Sequence, residues 1–203
     1  MLLGDLPPGE KWRDFELRAL ALRDFARVKS DLPLDPFDLA RFANLIVVNM
    51  DQIENLSDSA REHLLGAAAD QWSGGACTLP NGMKLVILNP KHGRARTNAT
   101  LMEEICHVFL AHEPNRLSIV TKDERGRVMN RDYRKSDEEA AYGIGAAALV
   151  PFAALKRFVY RGKSAAEIAR HFRVSRELVE YRLKVTRLWH DYKASAKQDH
   201  NHA

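Results

Sequence analysis

Apolar positions recur at helical spacing among charges in residues 12–30, where Phe15, Leu17, Leu20, Leu22, Phe25 and Val28 predict a surface helix with one buried face, closed by the proline-bearing stretch 31–35. Asp35-Pro36 reads as the N-cap and first position of a second helix reaching about Asn44, and the apolar run 45–48 then reads as a buried strand. Ser57 or Ser59 caps a helix through Ala69. Residues 72–78 and 84–89 flank Leu79-Pro80-Asn81-Gly82, and Asn-Gly between two such runs predicts a hairpin. Residues 97–112 place Leu101, Ile105, Val108 and Phe109 three and four apart, a helix that closes before Pro114. Segments 117–120 and 127–129 read as a short strand pair, and Ser136 as the cap of a helix over 137–149 whose Ala and Gly content allows close packing. Segments 165–172 and 175–189, broken at Arg173-Val174, have helix-turn-helix spacing. The expected fold is α+β: a helix-rich domain with a small antiparallel sheet over residues 1–155, a basic helix-turn-helix-like appendage over 156–193, and a polar, disordered tail over 194–203.

Composition changes this picture little. With 45% hydrophobic and 29% charged residues in 203, the chain is globular in balance. The longest apolar runs, 45–48 and 146–154, fall far short of the roughly 20 residues a membrane span needs, so no membrane partner is expected. The first ten residues carry neither a basic nor an apolar export region, which makes the cytoplasm the expected location. Cys77 and Cys106 are too far apart for a CxxC unit and are expected as buried reduced thiols.

Charge matters more. Residues 156–193 hold eleven Lys/Arg against four Asp/Glu, while the rest of the chain is net acidic. One reading puts Arg176, Arg182, Lys184 and Arg187 near DNA phosphates; the other takes Ile168, Phe172, Val174, Leu178, Val179, Leu183 and Trp189 as sufficient to explain the block by packing.

The stretch that carries chemistry is Glu103-Glu104-Ile105-Cys106-His107. Residues four apart on a helix lie one above the other, so Glu103 and His107 share a face and can grip one cation, with Glu104 one residue round. That is the arrangement of the zincin H-E-x-x-H helix, in which the terminal residues bind zinc and the Glu takes a proton from the attacking water; here Glu103 stands first. A catalytic zinc keeps three protein ligands, and Glu138 or Glu139 on the next helix is the nearest acidic candidate for the third. Asp137 and the other glutamate read as charges favouring the helix N-terminus. His112, at i+5, falls off the His107 face and is expected to cap the helix C-terminus rather than bind metal. Tyr142, Tyr133 and His92 are candidate hydrogen-bond donors to an oxyanion, with nothing in their spacing to choose among them.

With Pro-Leu-Asp-Pro-Phe-Asp-Leu-Ala at 33–40, Val86-Ile87-Leu88-Asn89-Pro90, Arg94 and Arg96 before the metal helix, His112 after it, and a Glu138-Glu139-Ala140-Ala141 helix ending Leu149-Val150-Pro151, most of the chain resembles the ImmA/IrrE family of metallopeptidases. The resemblance implies zinc-dependent cleavage of a helix-turn-helix transcriptional repressor in mobile-element or stress-response control. It implies His107 as ligand, Glu104 as general base and, from the spacing to Pro151, Glu138 as third ligand. Glu103 departs from the pattern. A carboxylate is an acceptable zinc ligand, but the harder, more anionic set widens the choice toward Mn2+ or Fe2+ and predicts slower chemistry. The competing expectation is an inactive pseudopeptidase that binds a regulatory protein or DNA.

Overall fold

A computed structural model describes residues 5–29, 31–54, 56–112 and 135–200; the strand pair expected at 117–120 and 127–129, and Tyr133, lie outside these. Helix α1, Glu10–Phe25, buries Phe15, Glu16, Ala19, Leu22 and Arg23. Periodicity assigns Leu17 and Phe25 to that face, yet they are 45% and 49% exposed. Their places are taken by two charges that find partners inside the molecule. Glu16 accepts from the Arg182 guanidinium at 2.5 Å and from the Phe152 N–H at 2.6 Å. Arg182 donates in turn to the Val150 carbonyl at 3.0 Å. Arg23 donates to the carbonyls of Ala148 at 2.7 Å and Leu32 at 2.6 Å, and to that of Lys29. Buried charge is tolerated where each ion is met in this way.

Helix α2, Pro36–Phe42, is capped by Asp35, whose carboxylate accepts from the Phe37 N–H at 2.9 Å. Strand β1, Ile46–Asn49, is half-buried rather than buried. Ser57, not Ser59, caps α3, Asp58–Glu62, which runs into one π-helical turn at His63–Ala67. Strands β2, Gly74–Thr78, and β3, Lys84–Leu88, form the expected antiparallel hairpin, with Gly82 at φ +83° in its loop. Strand β1 lies on the other side of β3 and runs parallel to it, so the sheet is mixed, in the order β1-β3-β2, rather than wholly antiparallel. The 34 residues between Asn49 and Lys84 supply the long crossover that parallel strands need. Cys106 is buried, but Cys77 is exposed on β2, which among the described residues pairs on one side only.

Helix α4, Arg94–Phe109, begins a turn earlier than its apolar spacing suggests, after Gly93. Before it, Asn89 donates to the carbonyls of Ala69 at 2.6 Å and Trp72 at 3.0 Å, holding β3's exit against the preceding loop. Helix α5, Lys135–Leu149, packs between α1 and α4. Ser136 lies inside its first turn, hydroxyl turned to Asp137, and is not its cap. Two glycines make α5's close approaches: a Cβ on Gly143 would sit 2.6 Å from the Phe15 ring, and one on Gly145 3.4 Å from Met102.

After Pro151 come α6, Phe152–Tyr160, α7, Ala165–Phe172, α8, Arg176–Val185, and α9, Trp189–His200. Ser164 and Glu167 form a capping box on α7, Ser175 caps α8, and Arg173 makes the turn between them at φ +57°. The single helix expected over 175–189 breaks where Arg187 takes φ +61°, and α9 carries helix into the segment expected to be disordered. Leu155, Ile168, Phe172, Val179 and Leu183 share one core with Phe15, Met102 and Ile144. Among the described residues no single helix is long and apolar enough to cross a membrane.

Two stability outcomes follow from this packing. Arg182→Met leaves Glu16 buried without its cation and is expected to cost about 3–5 kcal/mol. Adding Glu16→Gln, which keeps an acceptor for the Phe152 N–H, should recover a large part of that loss; urea denaturation of both singles and the double would show strictly additive losses if the pair were not coupled. Gly143→Ala forces the Phe15 ring aside and should cost about 1–3 kcal/mol, with a smaller penalty in a Phe15→Leu background, read by thermal unfolding.

Candidate metal centre

One helical turn along α4 sets Glu103 above His107, and α5 crosses α4 with its first turn beside them. One ligand atom from each of Glu103, His107 and Glu138 lies within 4.8 Å of the other two, and His107 Nε2 is 3.6 Å from Glu138 Oε2. All three side chains are half-buried. Of the two glutamates the sequence left open before any resemblance, Glu138 is the one brought here; Glu139 pairs with Lys11.

The electrostatics suit a cation. Burial, then repulsion from Glu138, pushes the Glu103 carboxyl up to about 7. Burial, then Glu103 and Glu138, does the same to Glu104, also to about 7, against a hydrogen bond from the Ala76 backbone. Burial holds the His107 imidazole below its ordinary value, with Glu138 pulling the other way and His112 adding to the depression. A neutral imidazole flanked by crowded carboxylates is a donor set that a divalent cation satisfies by removing the repulsion. Two carboxylates and one nitrogen fit zinc and equally manganese or iron.

Glu104 lies on α4 where that helix packs against the sheet, close enough to β2 for the Ala76 backbone to favour its ionised form.

His112 is not where helical spacing puts it. Ala111 takes φ +53°, so the chain doubles back at the end of α4 and the His112 ring meets His107 edge-on at 5.1 Å between centroids. Nδ1 of His112 is 3.0 Å from Nδ1 of His107, and its Nε2 is 4.0 Å from Asp137 Oδ1. Its backbone N–H bonds the His107 carbonyl at 3.0 Å, so capping falls to the main chain while the ring is used elsewhere. Asp137, expected as a solvated charge, faces His112. Nothing in the sequence signals this contact, because it depends on a non-glycine residue in the left-handed region.

Of the candidate oxyanion donors, Tyr142 is one helical turn past Glu138, its ring 4.9 Å from that of Tyr181 and its phenol pushed up by partial burial and by Glu103. The charges that act on His92 are Arg96 and Asp70, not the carboxylate cluster. Of the four basic side chains that one reading of the sequence sets near phosphates, Arg182 is fully buried against Glu16; Arg176 pairs with Glu180 at 2.7 Å, and Lys184 lies over the Trp189 ring at 5.2 Å. Arg187 is exposed.

Comparison with known proteins bears on the fold and the family. The fold is similar to that of a Mycobacterium tuberculosis transcriptional regulator, with a TM-score of 0.54 and 17% identity, over 85% of this chain and 46% of that one. The chain thus spans less than half the length of that regulator. No curated protein matches it. The family described as the IrrE N-terminal-like domain, Peptidase_M78, matches residues 62–184, from the end of α3 through nearly all of α8. A match of that extent, taking in both helices of the carboxylate-histidine cluster, shows that the chain belongs to this family.

Proposed function

We propose that the chain is a metal-dependent endopeptidase whose substrate is a helix-turn-helix transcriptional repressor, in mobile-element or stress-response regulation. The observation that carries the proposal is the convergence of Glu103, His107 and Glu138, with Glu104 beside them on the same helix. Those three would hold Zn2+, or Mn2+ or Fe2+. A bound cation supplies Lewis-acid polarisation of the scissile carbonyl and makes water acidic enough to attack near neutral pH. Glu104 would take up a proton from the attacking water and pass it to the leaving amine. It sits beside β2, which among the described residues pairs on one side only, and an extended peptide would add along the other edge. Membership of a peptidase family and a fold like that of a transcriptional regulator support the regulatory setting.

A second reading rests on Glu103. A carboxylate in place of the family's imidazole makes the cluster more anionic, which weakens acidification of water and favours a module that binds a regulatory partner without cutting it. DNA contact through the basic block would fall to Arg170, Arg173 and Arg187, which are exposed.

Two measurements separate the readings, both in a background with His200 and His202 replaced by Asn. About one divalent metal per chain is expected by plasma mass spectrometry, lost in Glu103→Ala and His107→Ala; a folded wild-type protein that stays metal-free after reconstitution would rule out the enzyme. Glu104→Gln should keep its metal and slow cleavage of a repressor by roughly 10²–10⁴-fold, followed by mass spectrometry of the fragments. A binding module would be indifferent to that change.

A further inference from the structure

The turn after α4 brings a second imidazole onto the back of His107. His107 has two ring nitrogens. Nε2 faces Glu138, and Nδ1 is 3.0 Å from Nδ1 of His112. Two unprotonated nitrogens at that distance repel, so one of them carries the proton and donates it to the other. If Nε2 of His107 is to be a lone-pair donor in the cluster, its proton must be on Nδ1, and His112 Nδ1 is then the acceptor. That leaves the His112 proton on Nε2, the nitrogen that lies 4.0 Å from the Asp137 carboxylate. Each tautomer in the row is the one that its neighbour requires.

The surroundings keep the row in place. The His107 and His112 side chains are 18% and 14% exposed, and the backbone bond from His112 N–H to the His107 carbonyl fixes the spacing of the two residues. Asp137 and Glu138 are adjacent on α5, so the same first turn that supplies a carboxylate to the cluster supplies one to the far end of the row.

We propose that His112 is a positioning residue for the metal centre: it accepts the Nδ1 proton of His107, with Asp137 beyond it, and so holds His107 with Nε2 free and aimed at Glu103 and Glu138. The inference rests on the metal-centre reading and adds to it the outer partner that orients a ligating histidine, a kind of contact worth 10–100-fold in affinity in metal sites.

The test uses the full chain in the His200→Asn, His202→Asn background. Zn2+ affinity is measured by competition with a chromophoric chelator, and the His107 tautomer by long-range 1H–15N correlation in the metal-free protein. Wild type should show the proton on Nδ1 of His107. His112→Ala should bind Zn2+ roughly 10–100-fold more weakly and shift His107 toward the Nε2–H tautomer. His112→Asn, whose side-chain oxygen can replace the lost acceptor, should restore both readouts in large part. Wild-type affinity in His112→Ala with an unchanged tautomer overturns the positioning role alone. Equal weakening in Ala and Asn variants, with no tautomer change in either, also overturns it, because ring packing and not the hydrogen bond would then be responsible. A folded wild type that binds no Zn2+ overturns the metal-centre reading and this inference together.

Discussion

The arrangement depends on a carboxylate and a guanidinium taken out of water together. Glu16 and Arg182 come from opposite ends of the chain, and taking either ion out of water is costly unless further hydrogen bonds offset the loss of solvation. Glu16 therefore also takes the Phe152 N–H and Arg182 the Val150 carbonyl. The turn between α5 and α6 is gripped from both sides, while Arg23 holds the Ala148 carbonyl one step earlier. With its C-terminal end fixed by charges on α1 and α8, α5 has one orientation available, and Gly143 and Gly145 let it lie close to α1 and α4. The same residues explain why the basic C-terminal helices share the core rather than hang from it.

From that frame the chemistry follows. The N-terminal end of α5 is delivered beside the one face of α4 that displays Glu103 and His107, and it arrives with two adjacent carboxylates, Glu138 for the cluster and Asp137 for His112. Crowding and burial raise the carboxyl groups and depress the imidazole, an electrostatic strain that the packing of α5 on α4 maintains and that a cation relieves. The third face of α4 reaches the sheet, where Glu104 comes close to the Ala76 backbone of β2. One helix thus holds a candidate metal-binding face, a candidate proton carrier and a buried apolar stripe of Leu101, Met102 and Ile105 without conflict, because a period of 3.6 residues separates them.

Local signals in the sequence were read correctly where the physics is local. Asp35-Pro36, Ser57, Ser175 and Asn81-Gly82 each act through atoms within a few residues, and each is found capping or turning as its chemistry dictates. The i, i+4 relation of Glu103 and His107 is of the same kind. Misreadings arose where a distant partner decides. Leu17 and Phe25 look like core and Glu16 and Arg23 like surface until Arg182 and three carbonyls are brought to them. Ser136 looks like a cap, but the helix starts before it. The small sheet looks wholly antiparallel, but the crossover sets β1 parallel to β3.

What the sequence by itself determined, then, is the helices up to Leu149 and α7 with the start of α8, the hairpin, the face of α4 that Glu103 and His107 share and, by resemblance, the choice of Glu138. Those rest on backbone periodicity and on side-chain to main-chain bonds of short range. Only the tertiary structure decided that Arg182 is a buried anchor instead of a phosphate contact, that Asp137 faces a histidine, and that His112 turns back onto His107. Each depends on where two remote segments meet, or on a residue such as Ala111 held at positive φ by its surroundings, and a linear pattern of residue types carries no record of either.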